Sequence, residues 1–321
     1  MSTEITGRFA PSPSGRMHLG NAFSCLLAWL SARSAGGRII LRHEDLDPAR
    51  CRRAYADQIE DDLRWLGLDW DEGGSEGGER FYQSSRREIY EQYLAVLQEK
   101  GLIYPCFCTR ADLHAASAPH ASDGTPIYSG ACRALSPEQQ RERAKRRAPA
   151  LRARVPDREV RFIDALQGPY SVNMARDCGD PILRRSDGVH AYQLAVVVDD
   201  ALMGVNQVVR GRDLLSSTPW QLWLQEELGF SHPDYVHVPL LLSGDGKRLS
   251  KRDGDMDLGA IRASGASPQS VIGRLAFLAG LIGREEPVSP SELIPLFAWE
   301  KVQKEDIIVK AIPHNAKMVK M

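Results

Sequence analysis

Features of secreted, membrane-spanning and strongly charged proteins are missing from this sequence. No apolar run approaches the roughly 20 residues that cross a bilayer. No basic segment followed by an apolar one opens the chain, so we expect a cytoplasmic location and no membrane partner. The net charge is only −1, which excludes polyanion binding by bulk charge and leaves a nucleic acid only local basic surface. Six cysteines in 321 residues indicate thiols or a metal site in a cytosolic chain, and not a disulfide framework.

The remaining composition is that of a globular protein with room for two or three lobes, at 43% hydrophobic and 26% charged residues. Short apolar runs predict strands, and helical spacing of apolar residues predicts amphipathic helices. The run 191–198 is continuously apolar, and we expect a buried strand there that ends at Asp199 and Asp200. The other expected strands are 5–9, 38–42, 151–155, 160–164, 170–172 and 205–209, and the expected helices are 54–66, 84–99, 136–147 and 258–281.

The most informative stretch is residues 8–21, which reads RFAPSPSGRMHLGN. It follows a short apolar start, passes through a turn rich in Pro, Ser and Gly, and enters a helix whose apolar residues recur at i, i+3, i+4 and i+7. The free N–H groups and the positive dipole end of such a helix suit a phosphate. His18 precedes the helix, where its ring could reach an anion.

A second element, Gly246–Gly254, is a basic loop flanked by glycine that follows the apolar run Val236–Leu242. Together the two stretches resemble the paired signatures of class I aminoacyl-tRNA synthetases. Residues 18–21 stand in the HIGH position, with Asn21 where the family has a second His, and residues 248–252 stand in the KMSKS position. The surrounding residues, RFAPSP and LSKR, resemble the glutamyl branch of that family.

This resemblance implies an α/β fold. We expect a Rossmann-type parallel sheet with an inserted zinc-bearing lobe, a C-terminal helical stem-contact region and no anticodon-binding domain. The expected domains are 1–102 for the first catalytic half, 103–174 for the inserted zinc and acceptor-like lobe, 175–244 for the second catalytic half, and 245–321 for the KMSKS-like loop and the helical stem-contact region.

The charged groups of glutamate need complementary partners. A carboxylate past a strand end, such as Glu44, can accept from the ammonium, and an Arg fork can bind a carboxylate in two places. The alternative for Arg210 is a surface salt bridge with Asp213. The resemblance assigns Glu44 to the amino group and Arg8 to the side-chain carboxylate, with Arg210 and Tyr192 as carboxylate partners. The implied glutamate-binding set is Arg8, Phe9, Ala10, Pro11, Ser12, Glu44, Tyr192 and Arg210.

The signature stretches are expected to bind and activate ATP with Mg²⁺. His18 and Lys251 are the implied catalytic residues, because His18 faces phosphate charge at the helix N-terminus and Lys251 faces the charge that develops toward pyrophosphate. The implied ATP-binding set is His18, Gly20, Asn21, Arg248, Leu249, Ser250 and Lys251.

Three cysteines in one short segment, Cys106, Cys108 and Cys132, can supply three thiolates to a structural Zn²⁺. Spacing leaves the fourth ligand open, and His114 and His120 are the conventional choices. The resemblance implies the hydroxyl of Tyr128 instead. The alternative is a set of three buried free thiols.

About 70 residues follow Lys251, whereas a glutamyl-tRNA synthetase continues for well over a hundred residues into an anticodon-binding domain. The chain therefore resembles shortened paralogues of that enzyme, which implies transfer of activated L-glutamate to the queuosine base in the anticodon of tRNA(Asp) by a monomer. Three alternatives remain: a truncated synthetase charging tRNA(Glu) at its 3′ end, a tRNA-independent ligase or nucleotidyltransferase, and a non-catalytic paralogue.

Overall fold

The computed structural model describes residues 4–109, 112, 127–247, 249 and 257–309. The strands are β1 (Thr6–Phe9), β2 (Arg38–Leu41), β3 (Glu72–Gly73), β4 (Ile103–Cys106), β5 (Ala150–Ala153), β6 (Glu159–Asp164), β7 (Gly168–Asn173), β8 (Ile182–Arg184), β9 (Gln207–Gly211), β10 (Asp234–Val238), β11 (Leu241–Leu242) and β12 (Ile307–Ile308). The α-helices are α1 (Leu19–Ser34), α2 (Arg53–Leu66), α3 (Arg87–Glu99), α4 (Pro137–Ala144), α5 (Tyr192–Leu202), α6 (Thr218–Leu228), α7 (Leu258–Ala263), α8 (Pro268–Ala279) and α9 (Pro290–Leu293).

A parallel sheet lies at the centre of the fold. Strand β1 pairs with β2, which pairs with β3, and β9 pairs with β10. The two sets meet where β9 runs beside β1, since the backbone N–H of Asn206 donates to the Thr6 carbonyl at 3.1 Å. Neighbouring residues of β2 face opposite sides, so Ile39 and Leu41 join one apolar core and Ile40 the other. The carboxyl ends of β1, β2 and β9 therefore lie at one edge.

Helix α1 connects β1 to β2 and begins directly after His18. Its apolar residues are mostly fully buried, and its polar residues Asn21 and Ser24 lie on the less buried side of its first turns. The chain leaves α1 through Gly36, whose φ of +70° requires a residue without a Cβ. Because α1 follows the carboxyl end of β1, its N-terminus lies at the carboxyl edge of the sheet.

The inserted segment between the two halves of the sheet is antiparallel. Strands β4, β5 and β8 form one sheet, and β6 and β7 form a hairpin. The hairpin packs back on the central sheet, because the N–H of Ala165 donates to the Tyr235 carbonyl at 2.9 Å. The end of β6 therefore lies next to β10.

The prediction of a buried strand at 191–198 is wrong, because this run is the first part of helix α5. Helix α5 packs against α3, α6 and β8, so nearly every side of it is buried. A helix that is apolar all round has no 3.6-residue periodicity and cannot be told from a buried strand by pattern. Asp199 and Asp200 consequently lie in the last turn of a helix, both buried.

The segment that carries the second signature is held at both of its described ends. Before it, β11 pairs in parallel with β12, with Leu241 opposite Ile307. After it, Asp257 forms an antiparallel bridge with His18, and the N–H of Leu258 donates to the Met17 carbonyl at 2.9 Å. Across the described part of the chain, no helix is both long and apolar enough to cross a membrane.

Candidate active site

A cavity of about 640 Å³ opens at the carboxyl edge of the sheet, between the end of β1, the N-terminus of α1 and the end of β9. This is the edge at which open α/β sheets bind ligands. All eight residues predicted to bind glutamate line it, and from the predicted ATP set His18, Asn21 and Leu249 line it too. Gly20 is absent from the lining. Its place at the start of α1 brings its Cα next to the His18 ring, which a Cβ would meet at 3.2 Å.

Arg8 projects from β1 and is 4% exposed. Its Nη1 donates to the Val209 carbonyl at 2.8 Å, and its Nε lies 3.7 Å from Oδ1 of Asp200. The hydrogen bond to β9 and the ion pair to α5 fix the guanidinium at the cavity wall.

Glu44 follows β2 and is held by Arg42, whose Nη2 lies 3.2 Å from Oε1 of Glu44 and 2.7 Å from Oδ1 of Asp200. Arg42 is fully buried, and its Nε lies 3.7 Å from Oδ2 of Asp199. Burial raises the pKa of Glu44, although Arg42 and Arg8 pull it down. The carboxyl group thus gains from a further positive neighbour in the cavity.

Arg210 lies near the end of β9 and is 5% exposed, so the alternative of a surface salt bridge is wrong. Its hydrogen bonds to described residues go to neutral groups. Nε donates to Nε2 of His237 at 3.0 Å, Nη2 to the Thr218 hydroxyl at 2.9 Å, and Nη1 to the Tyr192 hydroxyl at 3.4 Å. Burial raises the pKa of Tyr192, so its phenol stays protonated.

His237 connects Arg210 to the inserted hairpin. Its Nδ1 lies 2.6 Å from Oδ2 of Asp164, the last residue of β6, and both side chains are fully buried. The backbone N–H groups of Leu166, Gln167 and His237 also donate to the Asp164 carboxylate. Burial lowers the pKa of His237 to about 4, whereas the imidazole and these N–H groups lower the pKa of Asp164 against its own burial.

The side of the cavity that the sequence predicts to receive phosphate is formed by the first turn of α1. The Asn21 side chain accepts from the backbone N–H of His18 at 3.3 Å, so this residue caps the helix where the family signature has its second His. Leu249 is buried and donates its N–H to the Leu241 carbonyl at 3.3 Å. The predicted residues Arg248, Ser250 and Lys251 lie outside the described residues.

A group of three thiols stands apart from this cavity, in the inserted segment. The sulfurs of Cys106, Cys108 and Cys132 lie within 4.8 Å of one another, and those of Cys108 and Cys132 are 3.6 Å apart. The hydroxyl of Tyr128 lies 3.4 Å from the Cys106 sulfur and 3.8 Å from that of Cys108. A tetrahedral Zn²⁺ with bonds of about 2.3 Å spaces its sulfurs by about 3.8 Å, so the group fits a zinc ion. His114 and His120 lie outside the described residues.

Arg42, Asp164, Asp200 and His237 were not assigned to the site from the sequence. Arg42, Asp200 and His237 each contact a predicted site residue, and Asp164 contacts His237. Spacing could not reveal these contacts, since the partners are 2 to more than 150 positions apart. A buried strand that ends in Arg, and two carboxylates closing an apolar run, were the available signals.

Comparison with known proteins gives consistent matches. The family model described as tRNA synthetases class I (E and Q), catalytic domain, matches residues 4–310. The glutamyl-Q tRNA(Asp) synthetase of Symbiobacterium thermophilum is 53% identical, and that of Nitratidesulfovibrio vulgaris 49%, each over 96% of this chain and 96% of the relative. The glutamate–tRNA ligase 2 of Syntrophus aciditrophicus is 40% identical over 96% of this chain and 64% of that protein. The structure of a glutamate tRNA ligase from Elizabethkingia meningosepticum, in complex with its amino acid, matches with a TM-score of 0.81 and 30% identity over 97% of this chain and 67% of its own.

Proposed function

Because this chain belongs to the class I tRNA synthetases of the E and Q group, and is a ligase of that class, we propose that it activates L-glutamate with Mg-ATP and transfers it to the queuosine base of tRNA(Asp). The family and the ligase class confirm what the two signature stretches predicted. The same match confirms the class I α/β fold with its parallel sheet. The substrate, the acceptor and the residue roles are proposals.

The observation that carries the proposal is the charge arrangement of the cavity. Arg8 and Arg210 offer two guanidinium groups and Glu44 one carboxylate, all on the wall of one cavity. Glutamate carries two carboxylates and one ammonium, which these three groups complement. The ammonium beside Glu44 would lower the pKa of this carboxyl, which burial raises, and would so favour its charged form. Phe9, Ala10, Pro11 and Ser12 complete the wall beside the bound amino acid.

Activation is a displacement at phosphorus. An oxygen of the glutamate α-carboxylate attacks the α-phosphorus of ATP, the bond to the β-phosphate oxygen breaks, and pyrophosphate leaves. Positioning and charge stabilisation are the protein's contribution. The N-terminus of α1 and His18 receive phosphate charge, and Lys251 stabilises the charge that builds up on pyrophosphate.

Transfer completes the reaction. A hydroxyl of the queuosine cyclopentenediol attacks the carbonyl carbon of glutamyl-adenylate, its proton passes to solvent, and AMP leaves. The relatives named glutamyl-Q tRNA(Asp) synthetase support this acceptor, because they match over 96% of both chains with 49–53% identity. The ligase named for glutamate–tRNA is matched over 64% of its length. We propose that the protein acts as a monomer.

Zinc has a structural role in this proposal. The three thiolates of Cys106, Cys108 and Cys132 and the hydroxyl of Tyr128 would hold the ion, since Tyr128 lies within 3.8 Å of two of the sulfurs. The guanidinium of Arg152 lies 3.8 Å from the Tyr128 ring centroid and offsets negative charge at the thiolates. The bound ion would fix a segment whose own apolar cluster is small.

Two assays test the proposal. Exchange of labelled pyrophosphate into ATP should depend on glutamate, and its absence would refute activation. Labelled glutamate is then offered to bulk tRNA from matched bacterial strains that can and cannot make queuosine. Label only on the queuosine-containing pool, recovered in the anticodon stem-loop fragment after nuclease digestion, supports the proposal. Equal label on both pools, recovered in the 3′ fragment, identifies a 3′-charging enzyme instead.

A further inference from the structure

The buried pair His237–Asp164 lies directly behind Arg210. We infer that His237, oriented by Asp164, is a positioning residue that fixes the Arg210 guanidinium and keeps its charge available for a carboxylate, so that the site takes glutamate and rejects glutamine. The inference rests on the proposed function and assigns a determinant of its amino-acid specificity. It concerns a residue that does not line the cavity.

Geometry fixes the proton on His237. Asp164 accepts three backbone N–H groups and lies 2.6 Å from Nδ1, which makes that nitrogen the donor. The other ring nitrogen, Nε2, is then an acceptor and takes the N–H of Arg210 Nε at 3.0 Å. The Thr218 hydroxyl lies 3.2 Å from the same nitrogen and also receives Arg210 Nη2 at 2.9 Å. Two neutral acceptors therefore hold one edge of the guanidinium and set its plane.

The charge state of these partners distinguishes Arg210 from the other buried arginines of the site. Arg8 faces the carboxylate of Asp200 at 3.7 Å, and Arg42 faces those of Asp200 and Glu44 at 2.7 and 3.2 Å. Among the residues that the structure describes, Arg210 donates to an imidazole, two hydroxyls and the Leu214 carbonyl. A carboxylate in place of His237 would neutralise Arg210 before the substrate arrives.

With these neutral partners, the Arg210 cation gains its counter-charge from the bound ligand. We place the side-chain carboxylate of glutamate against Arg210 as well as Arg8, so that it supplies the missing charge. The amide of glutamine carries no charge to supply and turns an NH₂ group toward these donors. The imidazole also separates Arg210 from the Asp164 carboxylate, which the backbone N–H groups already satisfy. Specificity thus depends on a residue behind the one that contacts substrate.

Two matched variants test this inference in the pyrophosphate-exchange assay. His237→Asn places an amide near the Nδ1 position and removes the acceptor for Arg210, whereas His237→Gln can return an oxygen to the Nε2 position. We expect His237→Asn to raise KM for glutamate about tenfold or more, with KM for ATP unchanged, because one buried charge-assisted hydrogen bond is lost. We expect His237→Gln to recover most of that loss. The ratio of kcat/KM for glutamate to that for glutamine should fall in His237→Asn and should largely recover in His237→Gln.

A double-mutant cycle shows whether His237 acts through Arg210. In an Arg210→Lys background, which has no Nε donor, His237→Asn should cause little further rise in glutamate KM. Equal effects in both backgrounds, or a parallel rise in KM for ATP, would mean a general structural role and overturn the inference. No glutamate-dependent exchange in the unaltered protein would refute the proposed function itself, and the inference with it.

A milder variant keeps the test decisive if both His237 variants fail to fold. Asp164→Asn is nearly isosteric and still offers an oxygen to Nδ1, but it removes the charge that orients the ring. We expect a threefold to tenfold rise in glutamate KM at constant KM for ATP, on the scale of a weakened hydrogen bond. An unchanged glutamate KM would contradict the inference.

Discussion

Removing Arg42 should destabilise the protein far more than removing a comparable surface arginine. The Arg42 side chain is fully buried, and three carboxylates lie within 3.7 Å of it: those of Asp200, Glu44 and Asp199. Arg86 balances Asp199 from a second side at 2.7 Å. Replacing Arg42 by Met fills the space with an apolar chain and leaves these buried carboxylates short of one positive charge.

The magnitude follows from that imbalance. Deleting one partner of a buried ion pair costs about 3–5 kcal/mol, because the remaining charge stays desolvated. The loss is limited by protonation, since burial already raises the pKa of Glu44 and removal of Arg42 raises it further. The difference in unfolding free energy between variant and unaltered protein should therefore shrink as the pH falls, because acid supplies the proton that replaces the lost cation.

Arg38, the first residue of β2, provides a matched control, whereas Arg42 directly follows that strand. Its Nη1 lies 2.6 Å from Oε1 of Glu72, but both side chains are more than 40% exposed. Exposed pairs contribute about 0–1 kcal/mol, so Arg38→Met should change stability little. Urea unfolding at neutral and mildly acidic pH, followed by tryptophan fluorescence, measures both variants. An Arg42→Met variant no less stable than Arg38→Met would refute the view that Arg42 neutralises the buried carboxylates.

Three further outcomes are expected. Burial lowers the pKa of His237 from 6.5 to about 4 in the folded protein, so the neutral ring contributes its whole stabilisation above pH 6.5. This contribution, up to about 3 kcal/mol of unfolding free energy, is lost as the pH falls through 4. The urea midpoint should therefore depend less on pH in His237→Gln than in the unaltered protein, and equal dependence would contradict this. We expect elemental analysis to find about one zinc ion per chain in the unaltered protein and in Cys178→Ser, and to find none in Cys108→Ser; retention of zinc in both variants would rule out Cys108 as a ligand. Lys251→Ala should lower the rate of adenylate formation by orders of magnitude, because the charge that builds up on pyrophosphate loses its partner. Calorimetry should show that the variant still binds glutamate. A near-normal rate of pyrophosphate exchange would exclude the catalytic role of Lys251.

The sequence predicted elements well where local pattern and packing agree. The strand, turn and helix that begin the chain follow from one apolar run and one helical apolar stripe, and the structure has them at Thr6–Phe9 and Leu19–Ser34. The expected helices 54–66 and 84–99 correspond to α2 and to α3 with the short 3₁₀ turn before it. Pattern failed at 191–198, because uniform burial removes the periodicity that distinguishes a helix from a strand.

The site was predictable to the extent that a motif carries it. Arg8, Glu44, Tyr192 and Arg210 could be placed together because the resemblance names them, and the cavity has all four on its wall. The groups behind them could not, because ion pairs such as that of Arg42 with Asp200 depend on how α5 packs on the sheet. Such pairs leave no trace in spacing, and charge alone favours a surface position.

Backbone pairing on both sides of the second signature connects it physically to the first signature. Leu241 and Leu242 are fixed by the pairing with β12, and Asp257 is fixed to His18 itself. A displacement of residue 257 therefore strains the backbone that begins α1. The ATP contacts that we propose for the two stretches are therefore coupled through this backbone. If a ligand at one stretch changes the affinity for a ligand at the other, the second ligand changes the affinity for the first by the same factor.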